Sequence, residues 1–335
     1  MRVLVAGGAG YIGSHTARRL AAAGHDVVLY DDLSRGHRAV AEILGTPLVA
    51  APLADRATLL ATLREHRIDT VMHFAAYAYV GESTASPLLY YDNNVATTIG
   101  VLRSMQEAGV RRFVFSSTCA TYGDPERVPI TEDAPQHPVS PYGWSKLMVE
   151  RVLRDHLASD PSFCFAALRY FNACGCAMDG SLGEDHDPET HLIPSLLQAV
   201  LGLRGELVVF GTDYPTPDGT NIRDYVHVDD LADAHVAAML RLAPGESLFC
   251  NLGTGRGFSV REILAAAERV TGRPVPVRYG ERRAGDAVAL FADPARAKAL
   301  LGWEAKHRDP DAIIASAWRW MQAHPNGYAR VRPLR

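Results

Sequence analysis

VLVAGGAGYIG, residues 3–13, carries an apolar run straight into a glycine-rich turn and out again into an amphipathic segment. A short apolar run bounded by glycine reads as a buried strand, and the 3.6-residue periodicity over 11–23 reads as a helix. Glycines at 7, 10 and 13 then serve a tight turn, close backbone approach to a pyrophosphate, and close packing of helix on strand. The helix amino terminus presents its unpaired N–H groups to the phosphates. A second run, DVVLY (26–30), ends at Asp31 and Asp32, 18 and 19 residues beyond Gly13. An acidic side chain there accepts hydrogen bonds from the adenosine ribose and repels a 2′-phosphate, so NAD is the expected cofactor. Arg35 keeps an NADP reading open, and a turn that only packs a helix is the bland alternative.

Further along, short apolar runs continue to alternate with amphipathic segments: PLVA (47–50), DTVMHF (69–74), RFVFSS (112–117) and FCFAALRY (163–170), with helical patterns near 55–66, 86–108 and 141–158. Repeated βαβ order means a parallel sheet covered by helices on both faces, a doubly wound, Rossmann-type α/β fold. After Asn172 the rhythm breaks into CGCAMDGSLGEDHDPETH, a polar segment too long for a simple connection and therefore a candidate binding loop. The second half reads as mixed: helices near 191–202, 229–242 and 259–271, strands 207–210 and 248–252, and a Pro/Gly/Asp loop at 211–220. We expect a nucleotide-binding domain over 1–172, with returning segments near 220–255, and a smaller mixed α/β substrate domain mainly over 173–335, packed directly on it.

The 335 residues are 47% hydrophobic and 21% charged with a formal net charge of −4, which gives no general attraction to nucleic acid or an anionic membrane. No stretch reaches the roughly 18 apolar residues of a spanning helix. With the first strand beginning at Arg2 there is no room for a signal peptide, so the expected location is cytoplasmic. Five cysteines without a CxxC pair read as reduced thiols, and no metal is expected.

Only three of the 34 basic residues are lysine, and one of them stands in SPYGWSK (140–146). Ser140-Pro141 reads as an N-cap followed by proline at the first helical position, which puts Tyr142 in the first turn and Lys146 one turn on, on the same face. A free phenol titrates near pH ~10, but an adjacent ammonium and a cationic nicotinamide would both lower that value and make Tyr142 a general base. Lysine suits the position because its compact ammonium also donates to ribose hydroxyls. Ser116, Ser117 and Thr118 close the preceding strand, at the end of a parallel sheet where catalytic groups gather.

With these residues assembled the chain resembles the extended short-chain dehydrogenase/reductases, and among them the UDP-galactose/UDP-glucose 4-epimerases. The similarity runs nearly end to end, through GGAGYIGSHT (7–16), YDDLS (30–34), HFAAYAYVGES (73–83), YYDNNV (90–95), SSTCATYG (116–123), SPYGWSKLMVE (140–150), RYFNACG (169–175), GEDHDPETHLIP (183–194), IRDYVHVDDLADAH (222–235) and RRAGD (282–286). The resemblance implies Tyr142 as base, Lys146 as its partner and Thr118 beside the sugar. It implies NAD contacts from Gly7, Gly10, Tyr11, Ile12, Gly13, Asp31, Asp32, Leu53, Phe74, Ala75, Ala76, Asn93, Ser116, Tyr142, Lys146 and Tyr170. For a UDP-sugar it implies Thr118, Tyr142, Phe171, Asn172, His191, Leu192, Phe210, Arg223, Tyr225, Arg283, Asp286 and Leu290, the two arginines neutralising the diphosphate. A homodimer through the helices near 86–108 and 141–158 is also implied.

Three positions depart from the family pattern: Pro52-Leu53 replaces the acidic residue that often reads adenine, position 78 is alanine where some members carry lysine, and His191 stands where others have asparagine. The implied reaction removes the O4 proton and C4 hydride of the sugar, lets the 4-keto sugar turn over, and returns the hydride to the other face. A 4,6-dehydratase shares the fold but calls for an Asp-Glu pair after the strand-end threonine, where this chain has Cys119-Ala120. A non-catalytic NAD sensor would not require Tyr142, Lys146 and Thr118 together. Among epimerases, a UDP-xylose/UDP-arabinose enzyme and a relaxed enzyme accepting N-acetylated UDP-hexosamines remain alternatives, Leu290 being the implied gate for the acetamido group.

Overall fold

The computed structural model describes residues 1–283 and 286–328. Its strands are β1 (Arg2–Ala6), β2 (Asp26–Asp31), β3 (Leu48–Ala50), β4 (Thr70–His73), β5 (Arg112–Thr118), β6 (Cys164–Tyr170), β7 (Asn172–Cys174), β8 (Leu207–Phe210), β9 (Ile222–Arg223), β10 (Tyr225–His227), β11 (Ser247–Leu252), β12 (Phe258–Ser259), β13 (Val277–Gly280) and β14 (Ala289–Leu290). Its α-helices are α1 (Tyr11–Ala22), α2 (Arg38–Leu44), α3 (Arg56–Glu65), α4 (Val80–Ala85), α5 (Pro87–Tyr90), α6 (Thr97–Ala108), α7 (Pro141–Ser159), α8 (Leu192–Val200), α9 (Val228–Arg241), α10 (Val260–Thr271), α11 (Ala295–Leu301) and α12 (Pro310–Ala323).

Seven strands form one parallel sheet in the order β11-β6-β5-β4-β1-β2-β3. Alternation along each strand feeds two separate cores: Val3 and Val5 pack on one face, Leu4 and Ala6 on the other. Because both faces are covered, the strands read in sequence as continuous apolar runs. From β1 the chain winds outward to β3 and then returns to lay β4 on the other side of β1, so a crevice opens at the carboxyl ends of β1 and β4.

The chain after residue 220 comes back to the sheet: β11 pairs with β6 at its edge, and α9 packs against α1 and β6. The remaining strands make small sheets, β10-β7, β12-β9-β14 and β13-β8, of which β7, β9 and β14 bring Asn172, Arg223 and Leu290 to the crevice. One apolar cluster runs from Val3 and Leu168 through Ile193 and Leu196 to Trp320, so the second half shares a core with the first. Helices α10 and α12 start on side-chain caps the local sequence supplies: Ser259 and Glu262 form a reciprocal capping box on α10, and Asp309 precedes Pro310 at the start of α12. Among the described residues, no helix is long and apolar enough to cross a membrane.

Candidate active site

A cleft of about 890 Å³ lies over the carboxyl ends of the sheet. Gly7 has φ +75°, and a Cβ there would come within 2.6 Å of the Ala75 backbone nitrogen; a Cβ on Gly13 would collide with the Gly7 carbonyl. The floor between β1 and α1 is therefore bare backbone, the shape a pyrophosphate needs. Asp31, at the end of β2, is oriented by N–H groups of Ala9 (3.0 Å) and Leu33 (2.9 Å). Burial raises its pKa against those two hydrogen bonds. Arg35 is not free to bind a 2′-phosphate: it donates to both oxygens of Glu82 at 2.7 and 2.8 Å, with its guanidinium 4.3 Å over the Tyr77 ring. These residues fit NAD and give NADP no counter-charge.

Asn93 enters the cleft from a π-helical turn, Tyr91–Ala96, whose wider loop is held by Asn94 bonding Tyr77 and Ser145. The Ser116 and Tyr170 hydroxyls bond one another on adjacent strands. Tyr142 and Lys146 stand in α7, whose N-cap Ser140 accepts from Gly143 N at 3.2 Å. Lys146 is 3% exposed, donates to the Ser116 carbonyl at 2.7 Å and lies 4.9 Å over the Phe115 ring.

Burial dominates the electrostatics of the pair. Burial pushes the Tyr142 phenol up to about 12, opposed by the adjacent Thr118 hydroxyl, while burial lowers Lys146 to about 7. Among the protein's own groups, desolvation is the largest influence on the phenol and opposes its ionisation. The phenolate that base catalysis needs thus depends on positive charge brought into the cleft.

At the far end Arg223 donates to the carbonyls of Ile222 (2.8 Å) and Ala287 (2.9 Å), and Asp286 lies 3.9 Å from both Arg223 and Arg283. Arg283 is largely exposed and sits 4.3 Å over the Phe210 ring. The cleft wall includes every expected cofactor residue, and of the expected substrate residues Thr118, Tyr142, Phe171, Asn172, His191, Arg223, Arg283, Asp286 and Leu290. Three stand behind it: Phe210 backs Arg283, Tyr225 is buried in β10 opposite Asn172, and Leu192 packs into the core from the start of α8. Pro52, Leu53 and Ala78 also line the wall, so the departures from the family pattern fall on the cleft itself. Ala284 and Gly285 of RRAGD lie outside the described residues.

Two clusters escaped the sequence reading. Beneath α7, Glu150 and Arg169 form a bidentate pair at 2.6 and 2.9 Å, each 1% exposed. Beside the cleft, Glu184, His186, Glu189 and His191 converge. Burial opposes charge on the two imidazoles, but the carboxylates outweigh it and raise them to about 9 and about 10. The E-x-H-x-x-E-x-H spacing in 184–191 is the signal the sequence offers for this cluster.

Fold and site together define an α/β protein of the dinucleotide-binding type, with a tyrosine and a lysine one helical turn apart on the cleft wall. A sequence model of the "NAD dependent epimerase/dehydratase family" matches residues 3–253, and the chain belongs to that family. It is 47% identical to a UDP-glucose 4-epimerase of Lactobacillus helveticus, over 98% of this chain and 99% of that one. Two solved UDP-glucose 4-epimerases superpose with a TM-score of 0.93. The one from Stenotrophomonas maltophila, with bound NAD and formylated UDP-arabinopyranose, is 43% identical and spans 97% of this chain and 99% of its own. The one from Bifidobacterium longum, in complex with NAD+ and UDP, is 40% identical and spans 98% and 100%.

Proposed function

We propose that the chain interconverts UDP-galactose and UDP-glucose by inverting C4 of the sugar. The observation that carries this reading is the convergence of Tyr142, Lys146 and Thr118 on a cleft with the glycine turn at one end and Arg223 and Arg283 at the other. Bound NAD supplies a reversible acceptor for the C4 hydride. Tyr142 takes the proton from O4 and later returns it, Lys146 fixes the phenol's protonation and the ribose hydroxyls, and Thr118 holds the sugar hydroxyl in line. Arg223 and Arg283 hold the diphosphate while the 4-keto sugar turns, and Asp31 holds the adenosine ribose. Conversion of UDP-galactose to UDP-glucose without added oxidant, with Tyr142→Phe folded but at least ~10²-fold slower, tests the reading. Near-normal turnover by that variant would exclude Tyr142 as the base.

A pentose reading is favoured by the pentose nucleotide bound in the Stenotrophomonas neighbour, since a pocket that lets a hexose turn also admits a pentose. Comparison of UDP-galactose with UDP-arabinopyranose by kcat/KM separates the two. Exposed apolar side chains on α5 and α7, Leu88, Leu89, Trp144 and Met148, support a homodimer through these helices, testable by sedimentation. Five free cysteines support a reducing, cytoplasmic setting.

A further inference from the structure

We propose that Glu184, His186, Glu189 and His191 form a binding site for one divalent transition-metal ion of the zinc class, beside the nucleotide cleft. One ligand atom from each of the four lies within 4.8 Å of all the others. His191 Nδ1 is 3.0 Å from both a Glu184 and a Glu189 oxygen, and His186 Nδ1 is 3.3 Å from Glu184 Oε1 and 3.5 Å from Glu189 Oε2. A tetrahedron of zinc bonds near 2.0–2.1 Å has edges of about 3.3 Å, which these separations bracket.

Hydrogen bonds account for the cluster only in part: Glu189 Oε1 accepts from His191 N at 2.7 Å and pairs with its Nδ1 at 3.0 Å. Glu184 Oε1, Glu189 Oε2 and His186 Nδ1 are buried without a hydrogen-bond partner, and the two glutamates are 5% and 4% exposed. Two buried carboxylates need compensating positive charge, which protonated imidazoles or a metal cation displacing their protons can supply. Two imidazoles and two carboxylates without a thiolate suit zinc, and four protein ligands close the site, as in structural centres.

The surroundings hold the loop for this. Asp185, between the ligands, accepts from Tyr328 N at 2.8 Å through its side chain, and its carbonyl meets His37 Nε2 at 2.9 Å. Coordination through Nδ1 would leave the His191 proton on Nε2, fixing a donor on a residue that lines the cleft. The ion would thus set the rigidity of that wall and the tautomer of His191, with no part in hydride or proton transfer.

The test uses full-length protein without a histidine tag, stripped with chelator and titrated with zinc chloride by calorimetry, alongside elemental analysis of the unstripped protein. The expected result is one equivalent bound at micromolar affinity or tighter and a higher Tm for the loaded protein. Glu184→Gln/Glu189→Gln, checked for native circular dichroism, should bind at least ~100-fold more weakly. Absence of saturable uptake by the stripped wild-type protein overturns the proposal, and this titration stands even where the double variant fails to fold. Equal affinity in a folded double variant also overturns it, by placing the ion elsewhere.

Discussion

Removing Glu150 should destabilise the protein more than any exposed substitution, because it leaves a guanidinium charged and dry. Glu150 bonds Arg169 through both oxygens and also accepts from Ser117 Oγ at 2.6 Å. Arg169 donates in addition to Tyr122 Oη at 2.8 Å, and that hydroxyl donates to Asn251 at 2.6 Å. The network ties α7 to three adjacent strands, β5, β6 and β11. With both partners 1% exposed, water cannot replace the lost carboxylate, so Glu150→Ala should cost about 3–5 kcal/mol. Against a typical total of about 5–15 kcal/mol that is a large fraction. Replacing both partners together, Glu150→Leu with Arg169→Met, removes the stranded charge and should recover most of the loss. Urea unfolding of all three variants at one saturating NAD concentration measures this, since bound cofactor shifts apparent stability. A loss below about 1 kcal/mol in Glu150→Ala would refute the dry network. Since Glu150 follows Lys146 by one turn, the single variant should also lose kcat through a loosened seat for α7.

Lys146→Met should abolish turnover yet raise stability at pH 6–7. The folded-state value of Lys146, about 7, lies below its ordinary value near ~10.4, so wild-type stability rises with pH between these limits and is flat below them. A variant with the same slope between pH 7 and 10 would place that titration elsewhere. Arg283→Ala should weaken UDP binding by about 1.5–3 kcal/mol with Tm unchanged, whereas Arg223→Ala, which also loses two backbone contacts, should lower both. Isothermal titration showing full UDP affinity in both variants refutes the clamp. Leu290 faces the cleft and also packs on the core, so wild type should show secondary activity on UDP-N-acetylgalactosamine, which Leu290→Tyr should abolish while sparing UDP-galactose. Parallel loss of the two activities would mean that Leu290 only supports the fold.

The central sheet was legible because its inner strands are buried on both faces and therefore written as unbroken apolar runs, as in DTVMHF and RFVFSS. The residues at the strand ends were legible for the same reason: locating a strand locates its carboxyl end. Helices α11 and α12 carried ordinary signals, Pro310 after Asp309 among them, that went unread. What local pattern cannot supply is pairing across the fold. Arg35 looked free for a phosphate until Glu82, 47 residues on, was seen to hold it. Nothing in the sequence links Glu150 to Arg169, 19 residues apart; only the packing of α7 on β6 makes them one dry pair.

The same distinction explains why lysine stands at 146 in a chain that otherwise prefers arginine. Helical spacing places an ammonium near Tyr142, but it says nothing of the dielectric around it. In the fold, Lys146 makes a single hydrogen bond within the protein, to the Ser116 carbonyl, and is enclosed against Phe115. An ammonium has three donors, so two remain for hydroxyl groups entering the cleft. Arginine would bring five donors in a rigid plane and could not shed its proton, which would leave a permanent charge in a site that burial already pushes toward neutrality. Lysine tolerates both states. Its charge can therefore follow what occupies the cleft, and the proton held by Tyr142 can be set by the bound cofactor and sugar.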